Sequence, residues 1–195
     1  MAKLHFKYAT MNAGKSIDLM RTAYNYEENG FNVLVMKPKV DTKSGDRISS
    51  RVGLERKVDI LIDMEDNIIH LLKGKLDDLY CIFVDEAQFL KEFQVNDLYK
   101  VSKLCDIPVI CYGLRVNFLG NSFEGSRRLL EISDVLEELP TICSCGSIAR
   151  MVGRWVDGKF VLDGDEVVID GTRNVKYIPL CGKCYLEKVL GINRW

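Results

Sequence analysis

The sequence predicts an α/β protein with a parallel sheet flanked by helices, followed by a small β-rich lobe that needs a staple to hold it together. Three observations lead to this prediction. Strand-like and helix-like segments alternate over residues 1–140, which favours parallel strands connected by helices. The continuous apolar runs Tyr80–Val84 and Ile107–Leu114 are typical of strands buried on both faces. After Pro140 the chain changes to hairpin signals and paired cysteines, with too few apolar residues for a second core.

The remaining elements follow from local patterns along the chain. A short alternating strand, Leu4–Ala9, precedes a helix that runs from Gly14 to Glu28 and stops at Asn29-Gly30. Then come a strand at Phe31–Met36, a polar mobile loop at Val40–Lys57, a strand at Asp59–Ile62, a short helix at Glu65–Leu72, and helices at Phe93–Leu104 and Ser122–Ile132. We therefore divide the chain into an α/β domain (1–140) and a second lobe (141–195).

Composition limits the classes of function. Apolar residues make up 47% and charged residues 28% of the 195 residues, which is typical of a globular protein with a core. The net charge of −1 argues against an electrostatic nucleic-acid binder, and no apolar run is long enough for a membrane span. Seven cysteines make an odd count for a disulfide framework, and the first residues lack the apolar core of a signal peptide. We expect a cytoplasmic protein whose cysteines are thiols or metal ligands.

The segment between the first strand and the first helix resembles a phosphate-binding loop. Ala9-Thr10-Met11-Asn12-Ala13-Gly14-Lys15-Ser16 fits the pattern Gly, four residues, Gly-Lys-Ser/Thr, with alanine in place of the first glycine. In such loops backbone N–H groups cradle phosphates, the lysine reaches the terminal phosphates and the hydroxyl binds magnesium. The alternative is an ordinary turn that opens a helix. The strand before it and the helix after it favour the phosphate loop.

Two carboxylates follow the buried strand that ends at Val84. A strand ending in a carboxylate commonly accompanies a phosphate loop, because it brings a negative group to the magnesium ion. Consecutive strand residues point to opposite faces, so we expect Asp85 and Glu86 to have different tasks: one can serve the metal and the other can face the substrate as a general base. The alternative is an acidic pair that caps the next helix.

Four cysteines form two pairs in the second lobe. Cys143-x-Cys145 and Cys181-x-x-Cys184 suit a tetrahedral zinc site, if a tight turn at Gly146 brings the first two sulfurs together. Free thiols plus a redox pair are the alternative. The other three cysteines lie on apolar faces and are predicted to be core residues: Cys81, Cys105 and Cys111.

With these residues, nearly the whole chain resembles the cytosolic, zinc-containing thymidine kinases of the bacterial and phage branch. The resemblance rests on ordered matches along the sequence: Thr10–Ser16, Asn25-Tyr26, Lys37-Pro38, Asp41–Lys43, Ser49–Gly53, Val84–Phe89, Tyr112–Phe118, Ile142–Gly146 and the final cysteine pair. It implies a RecA-like phosphate-loop fold. It also implies transfer of the γ-phosphoryl group of ATP to the 5′-hydroxyl of thymidine or deoxyuridine in nucleotide salvage. A homotetramer, feedback inhibition by thymidine triphosphate, and structural zinc are further implications.

The resemblance also implies roles for individual residues. Glu86 matches the proton acceptor, and Ser16 and Asp85 match the magnesium ligands. The ATP-binding positions are Ala9, Thr10, Met11, Asn12, Ala13, Gly14, Lys15, Ser16, Asp41, Lys43, Asp85 and Gln88. The nucleoside-binding positions are Phe118 against the base, and Glu166, Val167, Val168, Ile169, Asp170 and Tyr177 in a lasso-like loop.

The chain departs from the family pattern at two of these positions. Lys43 stands where arginine is common, and lysine cannot make the same bidentate contact. Asp170 stands in the lasso where glycine is usual.

Two alternatives stay open at this point. Phe118 could be a core plug under its loop. The whole chain could be a phosphate-loop ATPase or switch protein whose zinc lobe binds nucleic acid; the main interpretation expects neither a nucleic-acid nor a membrane partner.

Overall fold

The computed structural model describes residues 1–40, 45–164 and 175–193. The first helix and the first two strands are β1 (Leu4–Ala9), α1 (Lys15–Glu28) and β2 (Asn32–Pro38). The chain continues through β3 (Arg47–Ser49), β4 (Glu55–Lys57), β5 (Ile60–Ile62), α2 (Ile68–Leu71), β6 (Leu79–Val84), α3 (Glu92–Leu104), β7 (Val109–Leu114), α4 (Glu124–Ile132) and β8 (Val135–Glu138). The second lobe contains β9 (Met151–Val156), β10 (Lys159–Val161), β11 (Lys176–Leu180) and α5 (Gly182–Lys188).

A six-stranded parallel sheet forms the centre of the molecule, in the order β5-β2-β6-β7-β1-β8. The predicted α/β class with a parallel sheet is confirmed. Strand β7 lies between β1 and β6, so the phosphate-binding loop and the acidic pair follow strands separated by one neighbour. All carboxyl ends of parallel strands meet at one edge, which is where ligands bind in open α/β sheets.

The two faces of the sheet bury different side chains. On β6, Cys81 and Phe83 pack with Leu19 of α1, whereas Ile82 and Val84 pack on the other face with residues of α3 and α4. This alternation explains why β6 is apolar at consecutive positions: each neighbour in the sequence faces a different helical layer.

The prediction of one mobile loop at Val40–Lys57 is wrong. Within the described residues 45–57, β3 and β4 pair as an antiparallel hairpin. Ile48 is the buried residue of this hairpin, at 2% exposure, and the other residues of its two strands are polar. Strands of three residues with a single buried side chain carry no periodic signal.

Smaller differences concern element bounds and one further strand. Strand β2 begins at Asn32, one residue later than predicted, and extends to Pro38. Helix α2 covers only Ile68–Leu71, because Asn67 caps it by accepting a hydrogen bond from the backbone N–H of His70. Strand β8, Val135–Glu138, was not predicted.

The second lobe is a three-stranded antiparallel sheet, β10-β9-β11, with α5 packed against it. The Asp157-Gly158 turn joins β9 to β10 with positive φ at both residues (45° and 89°), as its sequence predicts. Among the described residues of this lobe, the buried cluster consists of Cys143, Ala149, Leu180, Cys181, Cys184 and Tyr185. Half of this cluster is cysteine, in keeping with a lobe that lacks a hydrocarbon core of its own.

The three remaining cysteines do not share one environment. Cys81 and Cys111 are fully buried, as predicted, and burial raises the pKa of the Cys81 thiol to about 12. Cys105 is exposed at the end of α3, so its assignment to the core was wrong. No helix in the described part of the chain has the length and apolar character that a membrane span requires.

Candidate active site

Two left-handed residues shape the loop between β1 and α1. Asn12 has φ 66° and Gly14 has φ 79°, and glycine reaches the second conformation without strain. Lys15 is only 8% exposed, and its Nζ donates a hydrogen bond to the carbonyl of Thr10 at 3.0 Å. The ammonium group therefore lies across the loop, beside the start of α1, where backbone N–H groups and the helix dipole favour an anion.

A cavity of about 390 Å³ lies beside this loop. Its lining joins three segments that are distant in the sequence: Met11–Ile17, Arg47–Val52 with Lys37, and Asp85-Glu86. Six of the predicted ATP-binding residues of the loop line it together with Asp85, whereas Ala9, Thr10 and Gln88 do not.

Lys37 helps to close this cavity, a role that the sequence analysis missed. The residue is 1% exposed at the end of β2, and its Nζ donates to the carbonyls of Gly45 (3.3 Å) and Arg47 (3.1 Å). These bonds tie the β3–β4 hairpin to the sheet. The sequence signal for this role is a lysine within an apolar strand. A buried ammonium group needs hydrogen-bond acceptors, which here are the two carbonyls.

The two predicted magnesium ligands lie together. The hydroxyl of Ser16 donates to Oδ2 of Asp85 at 3.3 Å, and Asp85 is 3% exposed. A hydroxyl and a carboxylate are the hard oxygen donors that Mg²⁺ prefers, and it takes few protein ligands beside phosphate oxygens and waters. The residues present therefore fit a magnesium ion bound together with a nucleotide.

Glu86 leaves the strand conformation, so the predicted alternation of strand side chains does not set the direction of its carboxylate. Strand β6 ends at Val84, and Glu86 has a left-handed backbone (φ 49°, ψ 37°) instead of continuing the strand alternation. Its side chain makes no capping hydrogen bond to the short 3₁₀ turn Ala87–Phe89. Its Oε2 instead accepts a hydrogen bond from Nε2 of Gln88 at 2.5 Å. The capping alternative for this carboxylate is therefore not supported.

Helix α4 packs tightly against the turn that follows Glu86. A Cβ atom on Gly125 would lie 2.5 Å from the carbonyl oxygen of Ala87 and 2.8 Å from that of Leu90. Only a residue without a Cβ allows this approach, so Gly125 fixes the backbone of the turn from the side of α4.

Gly125→Ala should therefore destabilise the protein by about 1–3 kcal/mol, since overpacking forces the turn to shift. Urea unfolding of the variant measures this loss. Gly182→Ala is the matched control, because a Cβ at Gly182 would meet nothing within 4 Å. Equal stability of the two variants would contradict the close packing at Gly125.

Phe118, the predicted contact to the base, is 1% exposed. Its ring lies 5.2 Å from the guanidinium carbon of Arg154 and 6.5 Å from the ring of Tyr177, and Tyr185 donates its hydroxyl proton to the Phe118 carbonyl at 2.8 Å. Arg154 also donates to the carbonyl of Asp163 at 2.9 Å. Residues of the second lobe thus contact this residue of the first lobe, and Arg154 and Tyr185 were not singled out from the sequence.

Seven predicted site residues lie outside the described residues. They are Asp41 and Lys43 of the ATP-binding set and Glu166, Val167, Val168, Ile169 and Asp170 of the nucleoside-binding set.

The four predicted zinc ligands converge. The sulfur atoms of Cys143, Cys145, Cys181 and Cys184 all lie within 4.8 Å of one another, and those of Cys145 and Cys181 are 3.6 Å apart. A tetrahedral zinc with bonds of about 2.3 Å requires sulfurs separated by roughly 3.8 Å. The cluster therefore fits zinc without rearrangement of the fold.

The short Cys-x-Cys spacing works through a tight turn. Gly146, with φ 87°, donates its N–H to the Cys143 carbonyl at 2.9 Å, and Cys143 donates to the Ser147 carbonyl at 2.9 Å. Hydrogen bonds from the backbone N–H and the hydroxyl of Ser147 lower the pKa of the Cys145 thiol to about 6. Cys145 is thus predisposed to be the thiolate that a metal requires.

Comparison with known proteins decides the family. The thymidine kinase family model matches residues 2–185. The chain belongs to the thymidine kinase family. Curated thymidine kinases of Rhodopirellula baltica (44% identical; 97% of this chain and 90% of the relative), Streptococcus gordonii (43%; 96% and 97%) and Mannheimia succiniciproducens (45%; 96% and 97%) resemble it over almost their full lengths.

Membership of the thymidine kinase family confirms the resemblance to its bacterial members that the motifs indicated. Among solved structures, Bacteroides Pif1 bound to ssDNA shares 13% identity at a TM-score of 0.35, over 71% of this chain and 38% of Pif1. At this TM-score the two structures do not share a fold closely enough to compare their sites.

Proposed function

We propose that the protein is a thymidine kinase that transfers the γ-phosphoryl group of ATP to the 5′-hydroxyl of thymidine or deoxyuridine. The observation that carries this proposal is the meeting of Lys15, Asp85 and Glu86 at one cavity, in a chain of this family. Phosphoryl transfer asks a protein mainly for positioning and charge neutralisation, and these three side chains supply both.

Each part of the cavity has a proposed task. Lys15 and the loop amides hold the phosphates, Ser16 and Asp85 hold Mg²⁺, and Glu86 accepts the proton of the attacking hydroxyl. Magnesium, when bound, neutralises phosphate charge. The remaining ATP contacts are proposed for Ala9, Thr10, Met11, Asn12, Ala13, Gly14, Asp41 and Lys43, and for the backbone of Gln88, whose side chain does not line the cavity.

The nucleoside site is proposed at the junction of the lobes, which we keep as residues 1–140 and 141–195. Phe118 and Tyr177, whose rings lie 6.5 Å apart, are proposed to contact the pyrimidine, since aromatic faces stack on bases. Glu166–Asp170 are proposed to close over the sugar and base with their backbone. The cysteine cluster is proposed to hold structural zinc.

Further proposals concern regulation, assembly and location. We propose feedback inhibition by thymidine triphosphate, assembly as a homotetramer and a cytoplasmic location, all three from family membership. The alternative, a phosphate-loop ATPase with a nucleic-acid-binding lobe, is disfavoured because the relatives are named thymidine kinases over nearly their whole lengths.

Lys15→Ala should lose productive ATP binding while the fold survives. Lys15 is the first residue of α1 and its Nζ donates to the Thr10 carbonyl of the phosphate loop, so we expect its removal to act on the loop and to leave the sheet folded. Initial rates over a range of ATP concentrations, with circular dichroism of the same sample, measure both effects. Unaltered rates at low and at saturating ATP would remove the phosphate loop from the proposal.

A nucleoside panel with γ-labelled ATP tests the substrate class. We expect label transfer to thymidine and deoxyuridine, and none to purine nucleosides. Filter binding of labelled single-stranded DNA, run in parallel, tests the alternative. Retention of DNA on the filter, together with an ATP hydrolysis rate that no nucleoside changes, would favour the ATPase.

A further inference from the structure

Gln88 is a buried side chain that joins the proposed catalytic carboxylate to the central sheet. It is 1% exposed. Its Nε2 lies 2.5 Å from Oε2 of Glu86, and its Oε1 accepts the backbone N–H of Leu114 at 3.0 Å. A backbone N–H can only donate, so the oxygen of the amide must face Leu114 and the NH₂ group must face Glu86.

The surroundings of this amide leave little room for another arrangement. A Cβ on Gly113 would lie 2.9 Å from Oε1 and 3.1 Å from the backbone nitrogen of Gln88, so glycine at the end of β7 makes the approach possible. On the far side, the hydroxyl of Ser126 donates to the Leu114 carbonyl at 2.5 Å. Hydrogen bonds therefore run without a break from Glu86 through Gln88 and Leu114 to α4.

Glu86 needs such support because of its backbone. A non-glycine residue in the left-handed region costs of order 1–3 kcal/mol and persists only where its surroundings determine it. The Glu86 carboxylate is partly exposed at the cavity, and it accepts a hydrogen bond from Gln88. Without that donor, rotation about the side-chain torsions would let the carboxylate leave its position.

We propose that Gln88 is a positioning residue that holds the Glu86 carboxylate in place for proton acceptance. This inference rests on the proposed function, since it takes Glu86 as the proton acceptor. It assigns to the Gln88 side chain a role distinct from ATP contact, in keeping with its absence from the residues that line the cavity. The expected signature is a loss in kcat, with the KM values for ATP and thymidine retained.

Two variants separate the two hydrogen bonds of Gln88. Gln88→Leu removes both, and Gln88→Glu keeps an acceptor for Leu114 while it replaces the amide donor with a second carboxyl group, whose charge disturbs Glu86. Both should lower kcat by roughly 10- to 100-fold, because small displacements of a reacting group cost this much. Gln94→Leu is the matched control: Gln94 is also 1% exposed and bonds to Lys91, Asp63 and Asp66, away from the cavity. It should lower the melting temperature and leave kcat unchanged.

A double-mutant cycle with Glu86→Gln gives the deciding result. If Gln88 acts through Glu86, adding Gln88→Glu to Glu86→Gln should lower kcat by less than about 2-fold. Additive losses would overturn the inference, and so would a raised KM for ATP with kcat intact. A wild-type protein that does not phosphorylate thymidine would instead overturn the proposed function, so the two failures are distinguishable.

Discussion

Glu86→Gln is expected to lower turnover by roughly 10²–10⁴-fold, the range of general-base contributions. Glutamine keeps the size of the side chain and an oxygen that can accept the hydrogen bond from Gln88, but it cannot take the proton of the 5′-hydroxyl. Binding of ATP and thymidine should persist. Steady-state kinetics with both substrates varied, together with nucleotide binding by calorimetry, measure these effects.

Asp85→Asn is the comparison variant for Glu86. Asp85 accepts the hydrogen bond of Ser16 and is proposed to hold Mg²⁺ with it, so its change should raise the magnesium concentration needed for half-maximal rate. If the two carboxylates only capped the following turn, each variant would lose about 1 kcal/mol of stability and keep nearly normal turnover. Near-normal turnover of Glu86→Gln would mean that the catalytic assignment is wrong.

Cys145→Ser and Cys184→Ser are expected to lower the zinc content below one ion per chain and to unfold the second lobe at lower temperature. The binding free energy of a structural zinc is folding free energy, about 10–16 kcal/mol in zinc-finger peptides. The cluster that the cysteines share contains few other buried side chains, so little apolar packing replaces the lost metal. Atomic absorption of the purified variants and thermal melts followed by tryptophan fluorescence of Trp155 measure both effects.

Cys105→Ser provides the control for the zinc variants. Cys105 is exposed at the end of α3 and lies outside the cysteine cluster, so zinc content and melting temperature should match the wild type. Well-folded wild-type protein that contains no zinc would contradict the assignment of the cluster.

The sequence predicted those parts of the site in which chemistry and spacing are local. The loop around Lys15, the carboxylate after β6 and the two cysteine pairs each follow from a few adjacent residues, and the structure brings each set together. The parallel sheet followed from apolar runs whose consecutive residues face different helical layers.

What the sequence did not predict depends on approach between distant segments. The contact of Gln88 with Glu86 requires a left-handed backbone at Glu86 and a glycine at position 113 of another strand. The enclosure of Phe118 by Arg154 depends on how β9 meets the loop after β7. Strand β8 is short and half acidic, and the β3–β4 hairpin has one buried residue, so neither has a period to detect.

The position of phosphorylation on the nucleoside tests the central claim most directly. Incubation with γ-labelled ATP and either thymidine or 5′-deoxythymidine, followed by separation of the products, compares an acceptor that has the 5′-hydroxyl with one that lacks it. We predict labelled thymidine 5′-monophosphate from thymidine and no labelled nucleotide from 5′-deoxythymidine. Label found only in inorganic phosphate, at equal rates with either nucleoside, would contradict the account.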